Sequence, residues 1–119
     1  MSTKLAREEL NVSMLGAPEL VDLAEREATF ACAERGMLTS SIMDGAKKEA
    51  EAGREEWIEI RDRVARLPED LGTLGEDALA DAQVEFRSMK LEVERFRAHW
   101  DQKTEFWREN AKEARSRKR

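Results

Sequence analysis

His99 and Cys32 are the only histidine and the only cysteine in the chain, and they bound the chemistry it could perform. A catalytic thiol needs a nearby base and an activating charge. Cys32 instead lies between Ala31 and Ala33, far in sequence from His99, which is the pattern of a buried structural thiol. A metal site on a helix would need further ligands at helical spacing from His99. The acids around it make neither a His-x-x-x-His pair nor an EF-hand pattern, so no metal site is expected. The glycines form neither Gly-x-x-x-x-Gly-Lys nor Gly-x-Gly-x-x-Gly, so no cofactor-binding loop is expected either. Glu55-Glu56 and Glu69-Asp70 could supply paired carboxylates for acid–base work. In a chain with 26 acidic residues they read as solvated surface. The expectation is a protein with no catalytic residues, that is, not an enzyme.

The charge balance narrows the partners. A formal net charge of −5 argues against nucleic acid as the main partner. The one basic cluster runs over residues 108–119. It could meet nucleic acid, an acidic tubulin surface or an import receptor, but cations at a helix C-terminus also simply oppose the dipole. No apolar run approaches the roughly 20 residues of a membrane span, and the first ten residues lack the apolar core of a secretory signal. With one cysteine, nothing points to an oxidising compartment. These features predict a cytosolic, cytoskeletal or nuclear setting.

The elements that must position such a surface are helices. Charged residues make up 39% of the chain and aromatic residues 6%, the balance of long exposed helices. Two breaks divide the sequence. Gly16-Ala17-Pro18 ends an N-terminal extension, residues 1–17, and suits Pro18 to a first helical turn. Residues 68–75 hold Pro68, Gly72 and Gly75 and read as a loop, with Thr73 and Glu76 spaced as a capping box. Residues 18–67 form a first helical segment whose apolar row is Leu38, Ile42, Ala46, Ala50, Gly53, Trp57, Ile60, Val64 and Leu67. Gly36, Gly45 and Gly53 weaken it, so a kink or a full break is expected near Gly36 or Gly45. Residues 76–115 form a second long helix, followed by a basic tail at 116–119. Its seam is Leu79, Ala82, Phe86, Met89, Val93, Phe96, Trp100, Lys103 and Trp107, a heptad pattern with one polar lapse at Lys103. The predicted fold is all-α, a long antiparallel helical hairpin or small helical bundle. Trp57, Ile60 and Val64 should face Phe86, Met89, Val93, Phe96 and Trp100. These residues and Trp107 are the candidate helix-packing or partner interface.

Two stretches resemble a known family. Arg54-Glu55-Glu56-Trp57 closes one amphipathic helix. Residues 86–102 close the next with Glu94, Phe96 and Trp100, similar to a Glu-x-Phe-x-x-x-Trp motif. Together with Leu15-Gly16-Ala17-Pro18-Glu19-Leu20, they resemble the segment of axonemal and intraflagellar dynein heavy chains where the tail runs into the linker. The chain departs from that pattern after Trp100, continuing through Phe106 and Trp107 to a basic end. The resemblance implies a component of a microtubule-based motor complex, in the cytoplasm, cytoskeleton or cilium, with other dynein chains as partners. It also implies that the ATPase ring lies outside these residues. The seam at 79–107 by itself suggests another function, a coiled-coil adaptor that self-associates.

Overall fold

Gly16 and Gly36 decide where the N-terminal helices end. In the computed structural model, which describes residues 3–69 and 71–117 and the side chains from Arg7 onward within them, both glycines have positive φ, 75° and 67°. That left-handed conformation suits glycine because it lacks a Cβ. Helix α1 spans Thr3–Met14, α2 Ala17–Glu34, α3 Ser41–Ala65 and α4 Glu76–Arg117, with a short 3₁₀ turn at Leu71–Thr73. No strand occurs among the described residues. The chain is all-α and takes the form of a small bundle.

Residues 18–67 are therefore two helices, with the break at Gly36. The end of α2 is a Schellman motif. The Met37 N–H donates to the Cys32 carbonyl at 2.7 Å and the Gly36 N–H to the Ala33 carbonyl at 3.1 Å. Met37 then packs on the cluster that contains Cys32, the hydrophobic contact that accompanies this motif. Ser40 caps α3 by accepting from the Met43 N–H, as an N-cap serine does. Gly45 does not break α3.

Residues 1–17, expected as an extension, contribute α1, and Leu10 is buried in the main core. Arginines from other helices finish two exposed ends. Arg97 of α4 donates to the carbonyls of Ser13 and Leu15 at the end of α1. Arg7 of α1 donates to the Val64 carbonyl near the end of α3. Ser13 is in the last turn of α1, where a helix terminus leaves carbonyls unpaired, whereas the Val64 carbonyl already accepts from the Leu67 N–H and gains Arg7 as a second donor. At the start of α4 the carbonyl of Gly75 accepts from Leu79. The cap position is thus Gly75, and Thr73 belongs to the 3₁₀ turn.

Ion pairs show the topology. Lys90 pairs with Glu9, Arg108 with Glu27 and Arg115 with Glu34, each 81 positions apart. A constant offset means that α1 and α2 run parallel to α4. Lys103 with Glu49 and Arg63 with Glu92 cross in the opposite sense, so α3 is antiparallel to α4. Arg54 of α3 bridges Asp22 and Glu25 of α2 at 2.8 and 3.1 Å. The result is an up-down-up rod with extents of 65 × 22 × 15 Å. The 42 residues of α4 account for its length at about 1.5 Å each.

The helices use different side chains to pack. The inner face of α2 carries Ala17, Val21, Ala24, Ala28 and Ala31. Small side chains let α2 lie close along α4, and this is the most extensive helix–helix contact in the chain. The α3 and α4 backbones make fewer close approaches, and Trp57, Phe96 and Trp100 fill the space between them.

Candidate interaction surface

The aromatic contact between α3 and α4 gathers most of the residues singled out by spacing. Trp57, Ile60, Val64, Phe86, Met89, Val93, Phe96 and Trp100 all belong to one buried cluster. Trp57 and Phe96 have ring centroids 5.2 Å apart, and Phe96 and Trp100 6.3 Å. Trp107 is only half-buried and packs on a second cluster of Ala28, Cys32, Met43 and Ala46. The structure thus places these side chains between the chain's own helices, with the seam already covered.

Gly53 makes room for Trp100. A Cβ built on Gly53 would overlap the indole, with Cε2 2.9 Å and Cη2 3.0 Å away. This close approach requires glycine at that position. The Trp100 indole N–H is buried without a hydrogen-bond partner, a local cost that the packing around it offsets.

The seam of α4 differs from the expected heptad beyond Trp100. Lys103 lies at its edge, donating to Glu49 at 2.8 Å. The buried positions are Thr104, Ala111 and Ala114, with Trp107 half-buried between them. Phe96, Trp100 and Thr104 follow one another in two steps of four. A straight α-helix drifts by about 20° per heptad against a 3.5-residue repeat, and an inserted step of four resets the register. The Thr104 hydroxyl finds its partner on the same helix, donating to the Trp100 carbonyl at 2.9 Å. Leu38, in the turn before α3, and Ile42, in its first turn, continue the apolar row in sequence, yet each is 50% exposed. The helical phase restarts at Ser40, the N-cap of α3, so the sequence row through Leu38 does not continue on one face.

The candidate chemical groups stay apart. His99 is exposed, with its ring edge-on to Trp100 at 5.2 Å. No cluster of three or more metal-ligating side chains occurs among the described residues. Glu55 and Glu56 are exposed on α3, and of the other acidic pair Asp70 lies outside the described residues. In the basic segment, Arg115 pairs with Glu34 and covers the Phe30 ring at 4.6 Å, whereas Lys118 and Arg119 lie outside the described residues. No described helix is long and apolar enough to cross a membrane.

Cys32 is buried. Burial pushes its thiol above the ordinary value, and the charge of Arg35 offsets part of that shift. A raised pKa leaves less thiolate at any given pH. Cys32 should therefore react with a disulfide reagent at pH 8 at least about tenfold more slowly in the folded chain than in denaturant, where it is both exposed and of ordinary acidity. Equal rates would show that the second cluster is open.

The grooves between helices are shallow and carry both signs of charge. The one between α3 and α4, of about 560 Å³, has Phe96 and Trp100 among its lining, with Glu56, Glu59, Arg63 and Arg95 around them. Missed in the sequence were the alanine row of α2, Leu10 and Leu71. Alanine carries little signal because it favours a helix whether buried or exposed. No family model, curated protein or solved structure matches the chain.

Proposed function

We propose that the chain is a non-catalytic helical rod that works as a structural and interaction segment, holding protein partners along its outer faces. The observation that supports this reading is the packing of α1, α2 and α3 along the full-length helix α4. It gives a stiff body whose large apolar side chains are mostly spent internally. A dynein-type tail or linker segment is the narrower form of the same proposal. It rests on the spacing of Glu94, Phe96 and Trp100, and it brings with it a microtubule-based motor complex in the cytoplasm or cilium. Phe96 and Trp100 serve the core, so dynein partners would have to be met through other residues. Co-purification of the chain with dynein intermediate or light chains would support that form; purification of the endogenous chain without any of them would remove it.

The adaptor reading, self-association through the 79–107 seam, requires that seam to be released from α1–α3. The variant Trp100→Glu separates the two. The rod predicts a loss of helix content, because the carboxylate enters the chain's own core. Retained helix content with loss of an oligomer would favour the adaptor.

A further inference from the structure

The joint between α1 and α2 interrupts one long helix. Gly16 holds positive φ there, and Pro18 lacks the N–H that would carry the helical ladder back to the Met14 carbonyl. The helices on either side are anchored unequally. The inner face of α2 buries Ala17, Val21, Ala24, Ala28, Ala31 and Cys32. Among the described side chains of α1 only Leu10 is buried, with Met14 partly buried on the same cluster. α1 lies along α4 between Lys90 and Arg97, beside the completely buried Val93. Polar contacts at the surface hold it there. Glu9 pairs with Lys90 at 3.7 Å, and Arg7 donates to the Val64 carbonyl at 3.1 Å. The half-buried Arg97 donates to the carbonyls of Leu15 at 2.6 Å and Ser13 at 3.1 Å. This last contact differs in kind, because it ties α4 to the joint itself and supplies donors that the interrupted ladder lacks.

We propose that α1 is a strap that opens as a unit about Gly16, with Arg97 as its latch, while α2, α3 and α4 stay packed. Opening draws Leu10 out of the main cluster and bares apolar surface of α4 beside Val93. The rod thus carries a built-in cover over part of its seam, which lifts without unfolding the rest. A released α1 does not persist as a helix, since 12 residues are too few to be stable alone in water. Opening is therefore visible at its own amides.

Native-state hydrogen exchange of the full chain tests it. The amides of residues 7–14 should be protected, yet exchange at least about a hundredfold faster than the slowest amides of α4. Arg97→Gln should speed exchange in α1 by about tenfold, through loss of a charge-assisted contact. Gly16→Ala should do the same, because the closed strap needs positive φ at that position. Ile60→Val supplies the opposite contrast. Ile60 is buried in the core, so the variant should speed the slowest amides of α4 by about fivefold. It should leave α1 unchanged, because lifting the strap does not unpack α3. Protection in α1 equal to that of the slowest α4 amides, or none at all, would overturn the proposal. So would an α1 indifferent to Arg97→Gln and Gly16→Ala, or one accelerated by Ile60→Val as much as α4 is. Protected amides in α2, α3 and α4 uphold the rod reading whichever way α1 behaves.

Discussion

Trp57→Ala should lower the unfolding free energy by about 3–5 kcal/mol, the range for truncating a buried large aromatic. Trp57 is buried on α3, and its ring lies against Phe96 of α4. Because the α3 and α4 backbones approach closely at few places, no neighbouring main chain is ready to collapse into the space. The loss should therefore include most of the cavity cost as well as the transfer cost. In a rod of this size such a loss is a large share of the total stability. Ile58, next along the helix and 45% exposed, provides the control: Ile58→Ala should cost less than about 1 kcal/mol. Urea unfolding followed by circular dichroism measures both. Similar losses at the two positions would mean that α3 does not present Trp57 to α4.

Gly53→Ala and Gly45→Ala should move stability in opposite directions. Both glycines lie within α3, so alanine offers each the same gain in helix propensity, about 0.5–1 kcal/mol. At Gly45 a Cβ meets nothing within 4 Å, and the gain should appear in full. At Gly53 the Cβ overlaps the six-membered ring of Trp100. The indole is itself buried and cannot swing away without dragging α4. Overpacking of this kind costs about 1–3 kcal/mol, enough to outweigh the propensity term and leave a net loss. Trp100→Leu in the Gly53→Ala background should then cost clearly less than in the wild type, a non-additivity expected of residues in direct contact. Thermal melts of the five chains, wild type, the three single variants and the double variant, decide it. A Gly53→Ala variant as stable as Gly45→Ala would show that the two helices do not meet there.

These contrasts show which parts of the rod the sequence made readable. The aromatic seam of α4 was legible because large side chains recur there at helical spacing on a charged background. The loop at Pro68 was legible because proline and two glycines crowd together. The sequence does not decide between Gly36 and Gly45 as the division of residues 18–67, since both look alike without knowing which one must adopt positive φ. Only Gly36 does. Its consequence, a third long helix, was hidden by Leu38 and Ile42, which carry the apolar rhythm across the turn while standing exposed. The inner face of α2 was hidden for a different reason. Its alanines contribute closeness rather than bulk, so α2 makes the main contact with α4 and shows no hydrophobic stripe of large residues. The misplacement of Lys103 reflects the mismatch between a 3.5-residue template and a 3.6-residue helix, which becomes visible only over many turns. Spacing alone also could not say whether the aromatic seam waits for a partner or meets the chain's own helices.

One distance tests the central claim, that α2 and α3 fold back on each other and close the α4 seam within one chain. Spin labels at Arg26 and Glu51, both exposed, flank the Arg54–Asp22 and Arg54–Glu25 contacts. In one continuous helix the 25 residues between them would span roughly 37 Å at 1.5 Å per residue. In neighbouring antiparallel helices, with axes about 8–10 Å apart, the labels lie within about 20 Å. The measurement is made on doubly labelled chains diluted in unlabelled protein, so that only distances within one chain are read. The rod predicts the short distance at every dilution. A distance near 37 Å would contradict it and return the seam to an external partner.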